Sequence, residues 1–135
     1  GWHVALESLE ALKARARRMP QTFNYEDFAQ QNLALSRGRG SPLRAVVFDY
    51  DCFTIGMAYS DIRNVMFSLE GKARLAFIDA YGPTSETERL LDTPLATIYG
   101  ILVAAGRESV PGWARSLLED VISGRLESAI QDALG

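Results

Sequence analysis

Two acidic residues and one amide are of the residue types that phosphoryl-transfer chemistry uses. Asp27 is followed by four residues and then by Asn32, and Asp49 comes directly after the apolar run Val46-Val47-Phe48. A carboxylate can orient an attacking hydroxyl group and accept its proton, and amide or carboxylate oxygens are ligands that Mg²⁺ accepts. If these side chains meet, they can serve as a base and as the ligands of a metal ion bound to phosphate.

A short β-hairpin is expected to bring these residues together. Asn32 leads into the β-like run Leu33–Ser36, and a second run, Leu43–Tyr50, contains Asp49. The glycines and the proline of residues 37–42 are typical of a turn between two strands. The second run is continuously apolar at its centre, which indicates a strand that is covered on both faces.

The rest of the chain has the hydrophobic periodicity of helices. The predicted elements are a helix over Trp2–Arg18, an irregular loop over Gln21–Gln31, helices on either side of Gly71, a helix that begins with a Ser85-x-x-Glu88 capping box and continues to Val103, and a last helix from Pro111 to Ile130. Pro94 is expected to kink or split the helix in which it lies. The predicted fold class is therefore mainly α with a small β-hairpin (α+β), in one domain over residues 1–135.

The three polar residues and their context resemble the aminoglycoside phosphotransferase and choline kinase-like family, which has a protein-kinase-like fold. The family's usual His-Gly-Asp corresponds here to Tyr25-Glu26-Asp27, and the Asp-to-Asn spacing of its catalytic loop is kept. The resemblance implies that Asp27 is the catalytic base. It also implies that Asn32 and Asp49 bind Mg²⁺ and, through the metal, ATP.

The segment Gly56–Arg63 extends this resemblance. In the family, the metal-binding Asp is followed by a Gly, a few residues and then a Tyr-x-Asp-Ile or Asp-Leu sequence that begins a helix. Asp61 would then be a structural carboxylate that supports the catalytic loop, at a helix start where negative charge is favoured. Tyr25 would pack and donate a hydrogen bond in place of the family's histidine.

The resemblance concerns only the C-terminal lobe of such a kinase. The N-terminal lobe of the family brings a strand lysine and usually a glycine-rich loop, whereas Lys13 and Lys72 lie in predicted helices here. The chain would then be one lobe of an ATP-dependent phosphotransferase, inactive alone, whose missing N-terminal lobe is its partner. Apolar surface normally covered by that lobe could also drive self-association. The acceptor would be a small molecule with a hydroxyl group, such as an aminoglycoside, choline or a sugar.

The composition argues against several other classes of function. The chain has 14 Lys and Arg against 17 Asp and Glu, so it offers no broad basic surface for nucleic acid. It also has no long apolar stretch or secretory signal, so no membrane association is expected and a cytoplasmic location is predicted. With one His and one Cys, any metal must be held by oxygen atoms.

Other interpretations stay open from the sequence. Asp27 and Asn32 can be loop residues that cap local backbone groups, and Asp49 can be an ordinary residue at a strand end. Asp51 is a candidate substrate or supporting group. The chain can also be a non-catalytic, pseudokinase-like helical module that binds a ligand or a protein, in which Glu26 is a tolerated change. A plain helical interaction domain would leave the three polar side chains pointing in unrelated directions.

Overall fold

The computed structural model describes residues 1–36 and 44–135. Its elements, in chain order, are α1 (Trp2–Ala16), β1 (Thr22–Asn24), a 3-10 turn (Gln30–Asn32), β2 (Leu33–Ser36), β3 (Arg44–Val47), β4 (Thr54–Gly56), α2 (Tyr59–Ser68), α3 (Gly71–Tyr81), α4 (Glu86–Ala105), α5 (Ala114–Ile122) and α6 (Arg125–Leu134). The described residues are thus mainly helical, with two small two-stranded sheets, which confirms the α+β class. The turn predicted at residues 37–42 lies outside the described residues.

The chain divides into two compact units. Unit 1 combines Gly1–Met19 with Ser85–Gly135, and unit 2 is Pro20–Thr84. In unit 1, α1, α4 and α6 pack against one another, and α5 packs on α4 and α6. The buried apolar side chains of these helices recur at steps of about one or two helical turns, as the periodicity predicts: Ala5, Leu12, Leu91, Ile98, Leu126, Ile130 and Ala133.

The helix boundaries of unit 1 confirm some predictions and correct others. Ser85 is the N-cap of α4, because its Oγ accepts the backbone N–H of Glu88 over 3.0 Å. Of the kink or split predicted at Pro94, the split does not occur, since α4 continues through that residue as one helix. The predicted single last helix is wrong. Gly124 has φ 82°, a left-handed conformation that an α-helix cannot contain, so the segment forms α5 and α6 instead.

The two sheets of unit 2 are nested in each other. β2 pairs with β3, Leu33 opposite Val47, and β1 pairs with β4, Phe23 opposite Ile55, both antiparallel. Residues 25–32 connect β1 to β2, and residues 48–53 connect β3 to β4. Because the strands on both sides of these two connections are paired, the connections must lie opposite each other.

Two sequence-based expectations fail in unit 2. The segment Gln21–Gln31 is not wholly irregular, because it includes β1 and the start of the 3-10 turn. The strand β3 is not covered on both faces, since only Val47 is partly buried along it and the other residues are exposed. Leu33 and Val47, at one end of the β2–β3 pair, pack against the core of unit 2, which centres on Tyr25, Phe28 and Val65.

The length and the apolar character of a helix decide whether it can cross a membrane. Within residues 1–36 and 44–135, no helix combines the length and the apolar character that a membrane span requires.

Candidate functional site

The two connections of unit 2, here named the first site loop (residues 25–32) and the second site loop (residues 48–53), are hydrogen-bonded to each other. The hydroxyl of Tyr25 donates to the main-chain carbonyl of Phe48. The N–H of Phe48 donates to the carbonyl of Asn32 over 2.9 Å. Each bond joins one loop to the other, so the loops and the residues that they carry are held side by side.

Asp27 and Asn32 are in direct contact within the first site loop. The amide nitrogen Nδ2 of Asn32 donates to Asp27 Oδ2 over 2.6 Å and lies 3.3 Å from the main-chain oxygen of Asp27. The 3-10 turn makes this contact, because the N–H of Asn32 donates back to the carbonyl of Ala29 over 2.8 Å. Since the amide nitrogen is used on Asp27, the amide oxygen of Asn32 keeps its capacity as an acceptor or a metal ligand.

Asp49 begins the second site loop's turn away from β3. It follows Phe48, whose N–H is bonded to Asn32, and its φ of 57° lies in the left-handed region. A residue other than glycine keeps that conformation at a cost of about 1 kcal/mol or more, and such residues are often found at functional sites. Asp49 is exposed, so its carboxylate is accessible to a ligand in solution.

The charges of both loops act on the same ionisable groups. Burial raises the pKa of Tyr25 above its usual value, and the negative charges of Asp27 and Asp49 raise that pKa further. The pKa of Cys52 is raised by partial burial of its thiol and then by Asp27, Asp49, Asp51 and Glu26. The structure therefore brings Asp27 and Asp49 within electrostatic reach of one phenol and one thiol.

Asp61 holds the start of the first site loop from the first turn of α2. Its side chain is 3% exposed, and its Oδ1 accepts the backbone N–H groups of Tyr25 over 3.0 Å and of Glu26 over 2.9 Å. The hydroxyl of Tyr81, in α3, lies 3.2 Å from Asp61 Oδ2 and donates to it. The carboxylate thus links α2, α3 and the loop that carries Asp27.

Asn64 binds the backbone of the first site loop, and the sequence analysis did not identify it. Its Nδ2 donates to the carbonyl of Glu26 over 2.7 Å, and its Oδ1 accepts the N–H of Phe28 over 2.8 Å. Asn64 lies three residues after Asp61, so both side chains are on one face of α2. That spacing was a usable signal, but the carbonyl and the N–H group that Asn64 binds are present in every residue and do not by themselves single it out.

Glu26 occupies the position at which the resemblance places a glycine. Its φ is 53°, the left-handed conformation that glycine adopts without strain and that costs another residue about 1 to 3 kcal/mol. Its N–H is bonded to Asp61 and its carbonyl to Asn64. Because each such bond contributes about 1 kcal/mol or more, α2 can keep Glu26 in this conformation.

Tyr25 also takes part in an aromatic cluster that supports both loops. Its ring packs edge-on against Phe28 at 4.9 Å between centroids and against Phe53 at 5.6 Å. Phe53 in turn stacks on Tyr50 at 5.2 Å. Tyr25 therefore both packs and donates a hydrogen bond, at the place where the resemblance expects a histidine.

The donor atoms around the loops fit a hard cation better than a soft one. Among residues 1–36 and 44–135, no three His, Cys, Asp or Glu side chains are grouped so as to hold a metal. The amide oxygen of Asn32 and the carboxylate of Asp49 offer two oxygen ligands. That donor set fits Mg²⁺, which is usually bound by one or two carboxylates together with water and substrate phosphates.

No family model, curated protein or solved structure matches this chain. Its functional interpretation therefore depends on the geometry of the two site loops.

Proposed function

We propose that this chain is the C-terminal lobe of an ATP-dependent phosphotransferase, a kinase that acts on a hydroxyl group of a small molecule such as an aminoglycoside, choline or a sugar. The observation that carries the proposal is the 2.6 Å contact between Asn32 Nδ2 and Asp27 Oδ2, beside a second loop that carries Asp49. Phosphoryl transfer needs a carboxylate base and oxygen ligands for a metal ion, and the two adjacent site loops carry residues of both kinds.

Each residue has a distinct role in this proposal. Asp27 orients the acceptor hydroxyl and accepts its proton through the oxygen that Asn32 leaves unbonded. Asn32 and Asp49 hold Mg²⁺, which, when bound, neutralises the charge of the phosphate groups of ATP. Tyr25 and Asp61 keep the first site loop in place, through the hydroxyl bond to Phe48 and the carboxylate bonds to the loop's N–H groups.

The proposed enzyme also has an N-terminal lobe, which supplies the lysine and the glycine-rich loop that bind the ATP phosphates. Exposed apolar side chains on the nested strands and the second site loop support such a partner: Phe23, Leu35, Val46, Phe48, Phe53 and Ile55. The chain alone is then inactive, and the same surface accounts for self-association if the lobe is absent. A cytoplasmic location fits the need for ATP.

Transfer of the γ-phosphoryl group by the full-length protein tests the proposal. Labelled ATP is offered with Mg²⁺ and a panel of hydroxylated acceptors, and the rate of product formation is measured. Asp27→Ala should lower that rate by about 100-fold or more, the usual contribution of a general base. Asp79→Ala, which removes an exposed carboxylate of α3, is the matched control and should leave the rate unchanged. A folded Asp27→Ala protein with the full rate would refute the assignment.

The second candidate is a non-catalytic, pseudokinase-like module that binds a ligand or a protein. The observation that favours it is Glu26, whose carboxylate adds negative charge beside Asp27 at a strained position. In that case MgATP does not raise the melting temperature of the full-length protein, and Glu26→Gly does not create transfer activity. Binding of MgATP together with phosphoryl transfer that Asp27→Ala abolishes in a folded protein would exclude this alternative.

A further inference from the structure

Asn64 is bonded to the backbone on both sides of Asp27. Its Nδ2 donates to the carbonyl of Glu26 over 2.7 Å, and its Oδ1 accepts the N–H of Phe28 over 2.8 Å. We propose that Asn64 is a positioning residue that fixes the direction of the Asp27 carboxylate. The inference rests on the proposed function, in which Asp27 is the base.

The geometry of the peptide bond explains why two bonds from one side chain have this effect. The carbonyl of Glu26 belongs to the rigid peptide plane before Asp27, and the N–H of Phe28 belongs to the plane after it. The only soft backbone torsions between these planes are φ and ψ of Asp27. A single carboxamide that binds both planes therefore sets both torsions, and with them the direction in which Cβ of Asp27 leaves the backbone.

Asp61 and Asn32 bind other atoms of the first site loop than Asn64 does. Asp61 binds the N–H groups of Tyr25 and Glu26, which both precede Asp27. Asn32 binds the end of the Asp27 side chain at Oδ2. Asn64 acts between these two contacts, at the residue that carries the base.

The left-handed conformation of Glu26 makes this contact more important. With φ at 53°, Glu26 has a left-handed backbone conformation that is unfavourable for most residues. Its carbonyl oxygen accepts the hydrogen bond from Asn64. If the carbonyl is released, the peptide between Glu26 and Asp27 can rotate. The base then moves relative to the acceptor hydroxyl, although the helix that carries Asn64 stays formed.

Three variants separate a positioning role from a general structural role. Asn64→Ala removes both bonds, and Asn64→Asp keeps an acceptor for the N–H of Phe28 but loses the donor to Glu26. Ser68→Ala is the matched control, because Ser68 lies one turn later on α2 and its hydroxyl donates to the main-chain carbonyl of Asn64 over 2.8 Å.

Two measurements are made on the full-length protein: amide hydrogen exchange at Phe28 and the kinetics of phosphoryl transfer. Asn64→Ala should speed exchange at Phe28 by about tenfold, the effect of one lost hydrogen bond, whereas Asn64→Asp should retain the protection. Asn64→Ala should lower kcat by about 100-fold, as expected for a misplaced catalytic group, with KM for ATP changed less than about twofold. Ser68→Ala should change neither quantity.

The outcomes distinguish this inference from the proposed function. If the unaltered protein transfers no phosphate to any acceptor, the proposed function fails, and exchange at Phe28 still decides whether Asn64 fixes the backbone around Asp27. If Asn64→Ala is folded and leaves both exchange and kcat unchanged, the positioning role is wrong. A loss of kcat that only follows the unfolded fraction also overturns it. If Asn64→Ala does not fold, Asn64→Asp decides the question: kcat should fall while protection of Phe28 is retained, and a folded Asn64→Asp protein with unchanged kcat overturns the positioning role.

Discussion

Replacement of Asp61 measures how strongly α2 holds the first site loop. The carboxylate is 3% exposed and accepts three hydrogen bonds, from the N–H groups of Tyr25 and Glu26 and from the hydroxyl of Tyr81. Asp61→Ala removes all three bonds. Asp61→Asn keeps an oxygen for the two N–H groups and presents an amide nitrogen to Tyr81, whose hydroxyl can accept as well as donate.

The expected loss of stability follows from these contacts. A hydrogen bond to a charged group contributes about 1.5 to 3 kcal/mol, so the two backbone bonds together contribute several kcal/mol. Removal of the carboxylate also removes the desolvation cost of a buried charge, which opposes folding. We therefore expect Asp61→Ala to lower the free energy of unfolding by about 3 kcal/mol. Asp61→Asn loses only the charge assistance, so about 1 kcal/mol is expected.

The assay must follow unit 2 rather than unit 1. Both tryptophans, Trp2 and Trp113, belong to unit 1, so their fluorescence does not report on the loop. Urea unfolding by circular dichroism is therefore combined with amide exchange at Tyr25 and Glu26, and Asp79→Ala serves as the exposed carboxylate control. Equal stability of the Asp61→Ala and Asp61→Asn proteins, or unchanged exchange at both amides, would refute the reasoning.

Three further predictions concern strain and ionisation around the two site loops. Glu26→Gly should raise the free energy of unfolding by about 1 kcal/mol in urea titrations, because glycine adopts a φ of 53° without strain. Tyr25→Phe should lower stability by about 1 kcal/mol at neutral pH through the lost hydroxyl bond. Because burial and nearby carboxylates raise the pKa of Tyr25, its stabilising effect is present below about pH 10 and is lost as the pH rises through the raised value, so melting temperatures of the two proteins should converge there. The raised pKa of Cys52 should make its thiol react slowly with a disulfide reagent at pH 8, and Asp49→Asn should speed that reaction by lowering the pKa.

Matched variants identify the cause in each case. Glu26→Ala removes the charge without relieving φ, so a stabilisation equal to that of glycine would mean that charge, and not strain, is responsible. The ionisation argument is contradicted if the difference in melting temperature between the unaltered protein and Tyr25→Phe stays constant from pH 7 to beyond about pH 10. For Cys52, Asp79→Asn should leave the thiol reaction rate unchanged, and an equal increase would show that net charge alone sets the rate.

Periodicity in the sequence predicted most of the helices because the burial pattern of a helix is local. The N-cap of Ser85 was predictable for the same reason, since its partner is three residues away. β1 and β4 were missed because a three-residue strand is too short to show alternation, and its partner lies about thirty residues away in the chain. The break at Gly124 was missed because the apolar spacing continues on both sides of it.

Some residues of the candidate site could likewise be predicted from the sequence and others could not. Asp27, Asn32 and Asp49 could be selected from residue type and spacing, and Asp61 from a motif at a helix start. Asn64 was missed: its three-residue spacing from Asp61 was a usable signal, but the carbonyl and the N–H group that it binds are present in every residue.

The position of the two site loops relative to each other depends on the register in which β2 pairs with β3. The inner pair, Leu33 opposite Val47, sets Asn32 against Phe48, and Asp49 is the next residue of the second site loop. A slip of one residue would turn every side chain of β3 to the other face and remove that neighbour relation. The outer sheet and α2 then fix the far ends of both loops, which allows Glu26 and Asp49 to stay in left-handed conformations that neither residue prefers. The strands thus set which loop residues are neighbours, and α2 holds the backbone on both sides of Asp27.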